Sequence, residues 1–158
     1  MVLLPFERLT LRTQINSDEL YRRLAAAVEP VRWYRNPFAR DHRPFEGEIT
    51  PNSFKISRVI HYRNSFLPTI IGSIRADEAG SAIEMVLRLH LLVAVFMVVW
   101  LGGAAIGSIV AALEVSRGHA SAVGLIPVAM LIFGYTFMQA AFVFESRKAK
   151  RFFDELIR

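Results

Sequence analysis

Arginine and aromatic residues are interleaved along residues 31–45, VRWYRNPFARDHRPF, which hold Arg32, Arg35, Arg40 and Arg43 among Trp33, Tyr34, Phe38 and Phe45. Guanidinium groups grip phosphate through a planar fork, and amphipathic rings settle at the headgroup layer of a bilayer, so the mixture suits an anionic lipid surface. A long loop whose rings close one end of a core has the same composition. A second set, SRVIHYRNSFLP at residues 57–68, offers Arg58, His61, Arg63 and Asn64 around a turn with backbone donors. Such a set holds a small anion or lipid headgroup, and a capped hairpin end has the same appearance. Strict alternation also puts Arg58 on the side of Phe54, Ile56, Ile60 and Tyr62. A cation on an apolar face is either wet at a sheet edge or paired.

Other chemistries lack their residues. The histidines at 42, 61, 90 and 119 have no metal-ligand spacing, and the chain has no cysteine, so no metal is expected and thiol chemistry is excluded. Nucleophile elbows, P-loops and dinucleotide fingerprints are missing. Glu46 and Glu48 share one face of a strand, where nearby bases favour salt pairing over acid catalysis. No catalytic residue and no cofactor is expected. The net charge of +5 is a modest excess, and nucleic acid is not an expected partner.

The reason lies in where the charges are absent. Leu91–Leu113 is a run of 23 uncharged residues and Val123–Phe144 a run of 22, each long enough as a helix to cross a bilayer. Pro127 falls in the first turns of the second run, where a helix tolerates it. The short EVSRGHASA between them predicts an antiparallel transmembrane hairpin. Thirteen of the 19 lysines and arginines precede the hairpin, one, Arg117, lies in its loop, and five follow it, which predicts both termini on the cytoplasmic side. The first run changes from bulky LLVAVFMVVWL to thin GGAAIGSIVAA. Gly103, Gly107 and Ala111 form a ridge opposite Gly124 and Gly134, for packing within the hairpin or against a second copy. No Asp, Glu, Lys, Arg or His lies well inside either run, which argues against a pump.

Before the hairpin, alternation predicts a strand at residues 6–13, and Asn16 with Glu19 marks the start of a helix that must stop near Pro30. Further strands are predicted near 45–50, 54–62, 69–75 and 81–89, joined by short turns that favour an antiparallel meander. MVLLPFERLT is too short in its apolar run for a signal peptide, and no cleaved leader is expected. The division is then a cytoplasmic α+β domain at 1–89, a hairpin at 90–145 and an amphipathic helical tail at 146–158. In the tail, Phe152, Phe153, Leu156 and Ile157 share a side that lies on lipid or docks on the domain.

The segments LPFERLTLRT, FEGEITPNSFKISRVIHYRNSFLP, VLRLH, WLGG and FGY resemble a family of small uncharacterised bacterial membrane proteins with an amino-terminal cytoplasmic α+β domain and two spans. That resemblance covers nearly the whole chain, implies a bacterial inner-membrane address and transfers no catalytic residue. The expected function is a non-enzymatic accessory or scaffolding protein that presents its domain to a membrane-borne protein partner, with a second copy of the chain as a further candidate partner. The alternative is a membrane-anchored sensor of an anionic lipid headgroup or small anion. Membrane lipids are partners in both.

Overall fold

The computed structural model describes residues 4–31, 43–60, 64–119 and 121–158. In chain order the elements are β1 (Phe6–Thr13), α1 (Ser17–Ala27), β2 (Val28–Glu29), β3 (Phe45–Ile49), β4 (Ser53–Arg58), β5 (Pro68–Asp77) and β6 (Gly80–Leu89). They are followed by α2 (Leu91–Ser116), a 3-10 turn (Ala122–Gly124) and α3 (Leu125–Leu156). The strands form one sheet of order β1-β6-β5-β4-β3-β2.

β3 to β6 make the expected meander, and β1 pairs antiparallel with β6 across the register Phe6↔Arg88 to Thr13↔Ser81. The expectation of a wholly antiparallel sheet is corrected by β2, which pairs parallel with β3 through Val28↔Phe45 and Glu29↔Glu46. α1 carries the chain back to the end where β1 began, so β2 sets off in the direction of β1. The stretch from residue 30 to 44 is long enough to return it again, which a parallel neighbour requires. The strand expected at 54–62 ends at Arg58. Gly47 has φ +146° and its missing Cβ would overlap the Lys55 carbonyl, so this crossing point of β3 with β4 admits only glycine.

Period-two alternation decides which face is covered. Along β6, Ile83, Met85, Leu87 and Leu89 are buried while Glu84 and Arg88 are exposed. Register places Glu7, Leu9 and Leu11 beside Leu87, Met85 and Ile83, on the same face. Two helices cover it, α1 and the amphipathic tail, which docks on the domain instead of lying on lipid. α1 brings Leu20 and Leu24, and the last turns of α3 bring Ala149 and Phe153, all fully buried. Thus α3 is a single helix from Leu125 to Leu156, and its end is part of the domain core.

At the start of α1, Asn16 Oδ1 accepts from the Glu19 N–H at 2.8 Å. The Glu19 carboxylate turns to Arg22 and Arg23, each at 3.0 Å, instead of back to the cap. Asn16→Ala is expected to cost about 1 kcal/mol, read as a lowered urea midpoint of the domain.

α2 and α3 are antiparallel and long and apolar enough to cross a membrane. A Cβ added at Gly107 would stand 3.0 Å from the Pro127 side chain, one at Gly124 3.2 Å from Ala111, and one at Gly134 3.2 Å from the Trp100 ring. These glycines set the helix separation. Gly103 does not belong to this contact: a Cβ there meets nothing within 4 Å, and Ala104 is buried in its place. The ridge expected at intervals of four drifts around the helix, whereas a closely packed pair is met at a mixture of intervals of three and four; Leu101, Ala104, Gly107 and Ala111 are spaced by three, three and four.

Candidate functional site

The junction between sheet and hairpin is built from three pieces of chain. β6 enters α2 through His90 alone, whose Nδ1 accepts from the Leu92 N–H at 3.3 Å and so caps the helix. The connection after β4 supplies Asn64, whose Oδ1 accepts from the Phe66 N–H at 3.0 Å. That turn lays Phe66 edge-on against Phe137 of α3, with centroids 5.7 Å apart. The third piece is α3 itself, passing the end of the sheet without a break.

Here the question posed by Arg58 has its answer. Its Nη1 donates to Glu145 Oε2 at 2.7 Å, and the Glu145 side chain is 0% exposed. Lys148 Nζ approaches the other carboxylate oxygen at 3.5 Å and lies 3.9 Å from the centre of the Phe144 ring. Both cations face the same buried carboxylate. A groove of about 620 Å³ opens beside it, lined by Asn64, Phe137, Ala140, Ala141, Phe144 and Lys148 together with Glu145. Below, and sharing Phe137, an apolar recess of about 180 Å³ lies among Phe66, Phe96, Trp100, Phe133 and Gly134. Gln139 Nε2 donates to the Tyr135 hydroxyl at 3.3 Å, within α3.

Further along α3, Lys150 Nζ donates to Glu7 Oε1 at 2.6 Å, and the Thr13 hydroxyl donates to the Ile157 carbonyl at 3.0 Å. Arg23 reaches the Leu156 carbonyl at 3.3 Å. Between these contacts Phe153 packs against Phe54 at 5.9 Å and Phe45 at 6.1 Å. The tail is therefore held at both ends and filled in between.

Of the residues singled out for an anion, Arg32, Arg35, Arg40, His61 and Arg63 lie outside the described residues. Arg43 is engaged elsewhere: its Nη1 donates to the carbonyls of Val28 at 2.7 Å and Ala25 at 3.2 Å, closing the end of α1. Arg58 and Asn64 both reach the junction, the first as partner of Glu145 and the second as a turn residue lining the groove. Glu46 and Glu48 lie on the opposite face of the sheet, Glu48 facing Lys55. Gly107, Ala111, Gly124 and Gly134 meet in the hairpin. Sequence reasoning missed Glu145, Lys148 and the Glu7–Lys150 pair. One signal was available: Arg58 on an apolar face calls for a carboxylate, and Glu145 is the first acid after the second uncharged run.

At the loop end of the hairpin a further cavity of about 640 Å³ opens where Gly107, Ala111, Gly124 and Pro127 leave the helices thin. Glu114 at its rim is held by Arg117 at 2.9 Å.

Fold and junction together define a class: a two-layer domain of mixed sheet and helices, closed by the second helix of an apolar hairpin that grows from its last strand. Compared with known proteins, the chain matches no family model, no curated protein and no solved structure.

Proposed function

We propose that the chain is an integral membrane protein of the bacterial inner membrane, with both termini cytoplasmic, acting as a non-enzymatic accessory or scaffolding subunit. The observation that carries this reading is the unbroken α3, which joins the hairpin to the domain core and so holds the domain at one orientation to the bilayer. Insertion is supported by exposure: Leu91 is 76%, Leu92 75% and Val98 73% exposed. In water each such side chain would forfeit about 1.5–3 kcal/mol, whereas in hydrocarbon it forfeits nothing. A helix at the centre of a soluble domain would bury most of its surface, but only 11% of the most apolar window of either helix is buried.

The surface offered to a partner is the sheet face that, among the described residues, no helix covers, where Arg8, Thr10, Ile71, Ser73 and Val86 form a shallow depression across β1, β6 and β5. A domain held still presents this face at fixed height and angle. The partner is a membrane-borne protein, because a domain joined to its span by one residue has little reach into the cytoplasm.

A photoreactive amino acid at Ile71 in the full chain, irradiated in native membranes, is expected to give one dominant protein adduct. The same probe at the exposed Glu155 of α3 gives none. Equal and diffuse labelling from both positions sinks the scaffold. Release of the chain by carbonate washing, or a reporter at Arg158 facing away from the cytoplasm, sinks the membrane topology. A second reading, recognition of a lipid, is favoured by the groove beside Lys148.

A further inference from the structure

We infer that the start of β1 and the end of β6 make a second contact with the bilayer, in which Leu4 and Phe6 enter the inner leaflet at its headgroup boundary and Arg88, with Arg8 behind it, binds the phosphates of anionic phospholipids. This rests on the membrane-inserted reading above.

The depth follows from the helix pairing. Gly134 meets Trp100 across the hairpin, so ten residues further along each antiparallel helix Phe144 stands level with His90, and both apolar runs end at one height. Arg88 lies two residues before His90, which is at most roughly 7 Å of strand. A headgroup layer is as deep: about 40–45 Å of bilayer around about 30 Å of hydrocarbon leaves roughly 5–7 Å on each side. Phe6 stands directly opposite Arg88 in the sheet. Because β1 runs away from the hairpin, Leu4 comes before Phe6 on the bilayer side. The Phe6 N–H donates to the Leu4 carbonyl at 2.7 Å, a tight turn that keeps the two together.

The strip is apolar at the height of the acyl boundary and cationic at the height of phosphate. Leu4 is 70% and Phe6 46% exposed, whereas Leu9 and Leu11 of the same strand pack on the core. This exposed apolar surface continues into Leu91 and Leu92 at the start of α2. Phe6, Arg8 and Arg88 share the sheet face that, among the described residues, no helix covers. Further from the hairpin the arginines of that face are answered, Arg12 by Asp77 at 3.7 Å and Arg75 by Glu84 at 3.6 Å. Arg8 and Arg88 are exposed and have no ion pair among the described residues. Their guanidinium forks match phosphate oxygens, and a ring beside a cation is the pairing that settles at headgroup depth. A free phosphate would engage the arginines but leave Leu4 and Phe6 in water, so the ligand is the leaflet surface.

The chain has no cysteine, so a nitroxide can be placed by one substitution. Phe6→Cys, Glu78→Cys in the turn between β5 and β6, and Val98→Cys within α2 are each labelled in the full chain. In nanodiscs of mixed phosphatidylcholine and phosphatidylglycerol, collision with a water-soluble nickel chelate is expected at residue 6 about fivefold less often than at residue 78, with residue 98 shielded. Arg88→Gln restores most of that fivefold difference, while Arg75→Gln, on the same face further out, changes nothing. Since Phe6→Cys itself removes a ring, a nitroxide at Leu4→Cys with Phe6 intact repeats the measurement. Free collision at residues 6 and 4 with residue 98 shielded overturns the contact and leaves the membrane reading intact; free collision at residue 98 overturns both. Shielding indifferent to Arg88→Gln overturns the phosphate contact. Shielding found in native membranes but not in nanodiscs assigns the strip to a protein and overturns the proposal. Millimolar inorganic phosphate is expected to leave residue 6 shielded; a rise to the rate at residue 78 makes the arginines an ion site and overturns it as well.

Discussion

Deleting residues 147–158 is expected to unfold the N-terminal domain, although it leaves every strand and α1 in the chain. The deleted segment carries Ala149 and Phe153, both fully buried, with Phe152, Leu156 and Ile157 packed against the same core. Large-to-small changes at buried aromatic positions cost about 3–5 kcal/mol each and at aliphatic ones about 2–5. Removing the whole set costs on the order of 10 kcal/mol, which is the entire stability of an ordinary domain. The residues left behind, Phe45 and Phe54 among them, would face water on the side α3 had covered. The comparison is made in detergent by far-UV circular dichroism and trypsin digestion: loss of strand signal and rapid cleavage between β1 and β6 are expected, while the hairpin stays helical. A truncated chain with native strand content and native protease resistance contradicts this. Charge substitutions at the exposed Arg151, Asp154 and Glu155 are the control, and should stay within about 0.5 kcal/mol.

The second large effect is at the junction. Arg58→Ala takes from the fully buried Glu145 carboxylate the cation 2.7 Å from its Oε2, and breaking such a pair on one side costs about 3–5 kcal/mol. Lys148, at 3.5 Å from the other oxygen, moderates the loss without restoring the 2.7 Å contact. Replacing both partners, Arg58→Met with Glu145→Leu, removes the stranded charge as well as the attraction, and is expected to return most of that stability. The measurement is a double-mutant cycle on urea midpoints of the full chain in detergent. A coupling energy near zero between positions 58 and 145 would falsify the ion pair as the clamp between sheet and α3. Because this clamp sits where α3 leaves the sheet, the single variant should also expose the bond after Lys148 to trypsin sooner than bonds within the sheet.

Much of the layout was legible in the sequence because it rests on local periodicity. The alternation at residues 6–13 and 81–89 appears as β1 and β6 with those faces, Asn16 caps α1, and the two uncharged runs are helical. Periodicity failed where position along the chain and position in space part company. β2 is two residues long, too short to carry any pattern, yet it makes the sheet mixed. Gly103 has the right residue type on the wrong side of α2.

The candidate site was legible in part. Arg58 announced itself by standing on an apolar face, and Asn64 by its place in a turn, but neither pointed to its partner. Arg43 looked like an anion ligand by composition, and its guanidinium instead closes α1, because a helix end with unbonded carbonyls is itself an acceptor within reach.

What the sequence alone determined is the elements other than β2, their faces and the apolar character of the hairpin, since each follows from residues within a few positions of one another. Only the tertiary structure decided that the last helix turns back to finish the core of the first domain. The contacts responsible join residues 87 positions apart for Arg58 with Glu145 and 143 apart for Glu7 with Lys150. No local pattern encodes such a pairing, because it comes into being when hairpin closure brings the end of α3 back beneath the sheet, where burial makes each charge require the other.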